Sequence, residues 1–292
     1  MRVAALLPAA TDIVIALGAG EQLVAATHAC TLPPTLRGIP RVTRSRVASS
    51  GASEIDGQVS DLSAAGAALF ELDEAALASQ KPDLILTQAV CDVCAVREAD
   101  ARAVAARLAP VPRIATLGAR TVEAILEDCL TVASALDIAD EGEELVAGLR
   151  SRMAAVHRKL KAARTPRPAV VVLEWTEPPF SAGHWVPDMV RRAGGAELIG
   201  RTGEVSERTT LAEIRGRDPA VVVVAPCGYV MSDAMREAKA LRDSFHQPIW
   251  VIDANPLTSS PGPGVVHGIE VLARILHPVI FGPPDPRHAV QI

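Results

Sequence analysis

The chain has few aromatic side chains, no excess of basic ones and no long apolar run, and each shortage removes a class of function. Its 292 residues hold three Trp, one Tyr and four Phe, so the position of any one of them is informative. Lys and Arg number 29 against 34 Asp and Glu, a net charge of −5. A general nucleic-acid binder needs a basic face, so no nucleic-acid partner is expected. No apolar stretch approaches the ~18 residues that cross a bilayer, so a membrane-embedded chain is not expected either. Near the N-terminus Arg2 precedes apolar Val3–Leu7, but Pro8 and Asp12 interrupt the run. No small-residue cleavage site follows, so this segment reads as a strand and a helix and not as an export leader. Five cysteines, an odd number, fit a reducing compartment better than a disulfide framework. A cytoplasmic protein is the expectation. Gly-x-Gly-x-x-Gly after a strand, the P-loop and His-Glu-x-x-His are all missing, and no catalytic residue is nominated.

What the chain does have is an α/β rhythm of two-domain length. Val3–Leu7, Leu23–Ala26, Leu84–Thr87 and Ile114–Leu117 read as buried strands. Helices fall between them, one capped by Thr11 and ending at Gly18, another over Thr121–Leu136. Arg44–Ser53 reads as a surface loop. From Glu141 to Ala163 Leu145, Leu149, Met153, Val156 and Leu160 form one apolar stripe at helical spacing. Asp140 and Glu143 have the spacing of a capping box, and Pro166 and Pro168 stop the segment. Such a helix is about 35 Å long, enough to join two domains. The α/β rhythm then returns in Val170–Leu173, Val221–Ala225, Trp250–Asp253 and a closing helix Val265–Leu276. The expected fold is therefore α/β: two doubly wound, Rossmann-like lobes (residues 1–137 and 167–292) joined by one long backbone helix (138–166).

Ligands of open parallel sheets bind beyond the carboxyl ends of the strands, which nominates the residues that follow them. In the first lobe these are Pro8, Ala9 and Thr11, then Thr27, His28 and Cys30, then Gln88, Cys91 and Cys94. In the second they are Glu174, Trp175, Phe180, His184 and Trp185, then Cys227 and Tyr229, then Asn255, Pro261 and Gly262. Two of the three Trp, the only Tyr and one Phe fall in these segments. Aromatic faces offer large contact area at low entropy cost, which suits a broad, flat, conjugated ligand. Cys91-x-x-Cys94 has the spacing of a redox dithiol or of half a zinc site, but no second pair completes the zinc set, and no resident metal is assigned. His28 and His184 are the imidazoles placed to meet a ligand's metal.

The segments LLPAATDIVIALG, THACTLPP, PDLILTQAVCDVCAV, LEWTEPPFSAGHWVPDMVRRAGG, VVVVAPCGY and PGPGVVHGIEVLARILHP run in order over nearly the whole chain. Together they resemble the cytoplasmic branch of the cobalamin-binding, periplasmic-binding-protein-like family, the helical-backbone metal receptors. The resemblance implies a cleft between two lobes, no catalysis, and cobalamin or a related corrinoid such as cobinamide as bound ligand. It implies a monomer acting as carrier, store or transport-related binding protein, whose partner is an ABC transporter or another corrinoid-handling protein. His184 stands where that family's Gly-x-Trp-Val-Pro motif usually has Asn. The Asp-x-His-x-x-Gly signature of enzymes that bind cobalamin with His on cobalt is absent. Two other readings stand beside this one: a receptor for haem or an iron siderophore on the same fold, and a redox protein using the Cys91/Cys94 dithiol. If the segment before Pro8 is a strand, intact mass spectrometry of native protein should find a chain beginning at Met1 or Arg2. Loss of ~20 residues, the length of a leader, would contradict that reading.

Overall fold

Short runs of small and branched apolar residues build the strands of this chain. The computed structural model describes residues 1–48, 51–90 and 95–292. They divide into two units, Met1–Ala119 with Glu123–Ala147 and Arg120–Val122 with Gly148–Ile292. No helix among the described residues is long and apolar enough to cross a membrane.

The first unit contains β1 (Val3–Ala5), α1 (Pro8–Ala16), β2 (Leu23–Ala26), β3 (Thr43–Ser45), α2 (Ala52–Ala64), β4 (Phe70–Leu72), α3 (Glu74–Ser79), β5 (Leu84–Gln88), α4 (Glu98–Ala105), β6 (Arg113–Leu117) and most of α5 (Val122–Ala135). Its main sheet is parallel, ordered β2-β1-β5-β6, with Val3–Ala5 opposite Leu84–Leu86. Every residue of β1 and β5 is buried, as expected of strands covered on both faces. Helix α1 begins at Pro8, whose fixed φ suits the first helical position. Thr11 therefore lies a turn inside the helix, fully buried, and does not cap it as expected. Part of the expected loop at 44–53 is regular structure instead: Arg44 and Ser45 belong to β3, paired antiparallel with β4, and α2 starts at Ala52. Ion pairs from Arg44 and Arg46 to Glu71 hold this ribbon. Helix α2 escapes a periodicity search because only Ala52 on it is fully buried.

The long amphipathic helix is α6 (Ala139–Ala163). It starts before Asp140, so Asp140 sits in the first turn, where a negative charge favours the helix dipole, and does not cap the helix. The buried stripe runs through Val146, Leu149, Met153 and Val156; Leu145, expected at its start, is only half-buried. The boundary between the two units falls inside this helix, after Ala147.

The second unit continues with β7 (Ala169–Thr176), β8 (Pro179–Ser181), α7 (Val186–Arg192), β9 (Ala196–Glu197), α8 (Leu211–Gly216), β10 (Val221–Val224), α9 (Met231–Ala240), β11 (Ile249–Ile252), α10 (Gly264–Leu276), α11 (Pro278–Phe281) and β12 (Ala289–Gln291). Val170–Leu173 and Val221–Val224 pair in parallel, residue for residue. Full burial of each such side chain contributes ~1.5–3 kcal/mol. The sheet is mixed at its edges: β8 runs antiparallel to β7, and β12 antiparallel to β11. The expected strand Val170–Leu173 therefore extends to Thr176, and Glu174 and Trp175 lie on a strand rather than in a loop.

A π-helical turn, Asn255–Ser259, leads into α10 through two close approaches. A Cβ on Gly264 would lie 2.2 Å from the Pro256 carbonyl oxygen, and one on Gly268 2.3 Å from that of Leu257. Only glycine lets the helix backbone come this near. Gly268→Ala should therefore destabilise the protein by about 1–3 kcal/mol, the usual cost of overpacking, despite alanine's better helix propensity. Urea denaturation tests this; a variant as stable as wild type would contradict the packing described.

Candidate functional site

At the carboxyl edge of the first sheet, β1 is followed by α1, β2 by Thr27 and His28, and β5 ends on Gln88. Pro8 is half-buried, whereas Ala9, Thr11 and Cys30 are packed beneath the edge. Thr11 Oγ1 lies 3.0 Å from Cys30 Sγ. Burial pushes the Cys30 thiol up, outweighing the Thr11 contact, so it stays protonated. Thr27 is buried and its hydroxyl meets that of Thr43 at 2.8 Å. His28 is exposed, with Nδ1 2.8 Å from Thr43 Oγ1 and its ring 5.5 Å from that of Phe70. Arg41 donates to the Thr27 carbonyl at 2.9 Å. Gln88 is buried and its side-chain oxygen accepts the Val90 N–H at 3.3 Å. Cys91 and Cys94 lie outside the described residues. Sequence reasoning missed Thr43 and Phe70, which belong to the short ribbon β3–β4, and Arg41, which pairs with Ala26 in an isolated bridge ahead of it.

At the corresponding edge of the second sheet, Trp175 lies two residues beyond Leu173, the last residue of β7 to pair with β10. Its ring meets that of Tyr229 edge-on, centroids 5.1 Å apart at 69°. Phe180 faces Trp175 across the hairpin and carries the Arg208 guanidinium 5.5 Å over its own ring. Asn255 fixes the loop after β10 at two points: its Oδ1 accepts the Gly228 N–H at 2.9 Å, and its Nδ2 donates to the Tyr229 carbonyl at 3.0 Å. Cys227 is exposed in that loop. Pro261 is half-buried and Gly262 buried at the start of α10.

Trp185 and His184 turn inward. Trp185 is buried and its Nε1 donates to the Thr258 carbonyl at 2.7 Å, so it braces the π-helical turn. His184 takes a left-handed φ of 51°, and its buried Nε2 has no hydrogen-bond partner among the described residues. Burial, then the nearby Arg120 charge, lowers its pKa.

Glu174 accepts from the Gly183 N–H at 3.2 Å and from the Ser206 hydroxyl. Burial outweighs both donors and raises its pKa to about 7. Ser206 belongs to a strap whose backbone follows β8: Ser181 N–H donates to Glu207 O at 2.9 Å, and Thr209 N–H to Pro179 O at 2.9 Å. A Cβ on Gly183 would lie 2.4 Å from Ser206 N, which explains the glycine there. No sequence signal marked Ser206 as Glu174's partner, since the two are 32 positions apart.

The arrangement suits binding better than bond-breaking. Its aromatic pair is fixed, the Cys30 thiol is held protonated, and the Glu174 carboxyl is engaged by its own strap. Among the described residues no group of three His, Cys, Asp or Glu is placed to hold a metal ion.

A family model described as periplasmic binding protein matches residues 3–245 of the chain. No curated protein matches it. Among solved structures, a periplasmic heme binding protein from Pseudomonas aeruginosa superposes with a TM-score of 0.72 at 17% identity, covering 96% of this chain and 93% of that one. The periplasmic vitamin B12 binding protein BtuF of Vibrio cholerae gives 0.64 at 17% identity, over 94% and 96% of the two chains. An ABC-type Fe3+-hydroxamate transport system from Saccharomonospora viridis gives 0.64 at 20%, over 94% and 92%. At identities this low the superpositions show a shared two-lobe fold and nothing further.

The raised Glu174 pKa has a sign. The folded protein binds the proton more tightly than the unfolded chain, so the contribution is full below the ordinary carboxyl value of 4.5 and is lost as pH rises to about 7. His28, His184 and His277, whose pKa values burial lowers, shift the wild type the other way, so the readout is variant against wild type. Between pH 5 and pH 8, Glu174→Gln should gain about 1–3 kcal/mol relative to wild type, at ~1.4 kcal/mol per pKa unit reduced for partial solvent screening. Equal urea midpoint differences at the two pH values would contradict a buried, proton-holding Glu174.

Proposed function

Because this chain belongs to the periplasmic binding protein family, we propose that it is a non-catalytic binding protein for a corrinoid, cobalamin or cobinamide, taken up at the strand-end edges described above. The observation that carries the reading is the Trp175–Tyr229 pair. Trp175 on β7 and Tyr229 in the loop after β10 meet edge to face, and Asn255 holds the loop that bears Tyr229. Tyr229 is buried and Trp175 half-buried, so Trp175 offers the accessible ring to a wide conjugated face, and fixing it beforehand on Tyr229 lowers the ordering cost of binding.

The polar groups around these edges support a corrinoid in particular. Thr27, Gln88 and Asn255 are uncharged hydroxyls and amides, and Glu174 is protonated below pH about 7. Groups of this kind suit the amide-bearing rim of a corrin better than a row of carboxylates. Haem is the second reading, favoured by Arg41 beside His28, since a guanidinium suits a propionate. The solved relatives, a heme binding protein, a vitamin B12 binding protein and an Fe3+-hydroxamate transport system, span this same group of metal chelates. A cytoplasmic location is part of the proposal, supported by the odd cysteine count, as is hand-over to a corrinoid-handling protein or ABC transporter.

Calorimetry with cobalamin, cobinamide, haem and a ferric siderophore tests the ligand class. Wild type should bind a corrinoid at micromolar concentration or below. Trp175→Ala should weaken binding by about 2–4 kcal/mol, roughly 30- to 1000-fold. Absence of corrinoid binding would overturn the reading, and preference for haem would replace it with the second one.

A further inference from the structure

A bare metal ion needs several protein donors; a chelated one does not. The macrocycle or chelator already fills most coordination positions, and the protein then has only an axial position to supply. The first unit presents one side chain suited to that task.

His28 follows β2 and is exposed. Its ring is nevertheless fixed from two directions. Nδ1 lies 2.8 Å from Thr43 Oγ1, and the ring rests 5.5 Å from Phe70. The His28 backbone N–H also donates to Thr43 Oγ1 at 3.0 Å, which ties the main chain to the same hydroxyl. Nε2, on the opposite side of the ring, meets no hydrogen-bond partner among the described residues. One ring nitrogen anchored and the other presented is how proteins orient a metal-binding imidazole.

The proton count agrees. Coordination through Nε2 requires the ring proton on Nδ1. Thr43 Oγ1 can accept that proton together with the His28 backbone N–H, and pass its own to Thr27 Oγ1 at 2.8 Å. The other candidate imidazole differs in the feature that matters: His184 Nε2 is buried.

We infer that His28 supplies an axial ligand, through Nε2, to the metal of the bound chelate. This rests on the reading that the strand-end edge takes a metal macrocycle. The step is a ligand exchange in which the Nε2 lone pair displaces a metal-bound water. No electron is transferred and no proton leaves the neutral imidazole.

Visible absorption with diaquocobinamide and with ferric haem tests it, and binding is followed separately by tryptophan fluorescence. In wild type the bands should move as free imidazole moves them, whereas dicyanocobinamide, with both axial positions filled, should not shift. His28→Ala should still bind but keep the bands of the water complex, and added imidazole should restore the shift. Thr43→Val, which keeps His28 but removes its anchor, should weaken the imidazole-type complex by about 10–100-fold, the usual effect of losing such a partner. Wild-type binding with water-type bands, or His28→Ala retaining the shifted bands, overturns the inference and leaves the ligand class standing. Failure of wild type to bind either macrocycle by fluorescence overturns the ligand class and the inference together.

Discussion

A strand buried on both faces disfavours polar side chains, and that constraint sorts this chain into core and edge, although the buried Thr87 hydroxyl near the end of β5 has no hydrogen-bond partner among the described residues. β1, β5 and β10 consist almost entirely of small or branched apolar residues, with Thr87 and Gln88 appearing only where β5 ends. Burying a polar group without a partner costs ~1–3 kcal/mol in proteins, so hydroxyls, amides, imidazoles and thiols collect past the strand ends. Parallel pairing then brings those ends to one edge of each sheet. Thr27, His28 and Gln88, far apart in sequence, share one edge; Trp175, Tyr229 and Asn255 share the other. Fold and site thus follow from one rule of burial.

The same rule explains what could be read in advance. β2 was legible to the residue, and α10 to within one, because apolar runs or stripes bounded by turn residues leave little choice. α6 was legible in place and period, but its start was missed because Ala139 gives no capping signal while Asp140 does. The short ribbon β3–β4 and helix α2 were not legible. The ribbon is too short to show a period, although Phe70 and Leu72 pack against the core, and α2 buries a single alanine. β12 was missed for a similar reason, being three residues on a sheet edge.

The nominated residues can be placed along strand ends from the sequence, but their contacts cannot be read there. Trp175 and Trp185 look alike in sequence, yet the first lies half-buried on β7 against Tyr229 while the second is buried and holds a main-chain carbonyl. His28 and His184 differ in the same way, one exposed and anchored, the other buried at its free nitrogen. Orientation depends on partners distant in sequence, Thr43 for His28 and Thr258 for Trp185, and no local pattern encodes them.

Hydrogen–deuterium exchange with and without cobinamide tests the central claim most directly, since it reports where a ligand slows local opening. The account predicts protection in peptides covering 27–30, 174–180 and 225–229, together with 254–262, and little change in α2 or α11. Protection confined to other segments, with binding established in the same sample, would contradict it.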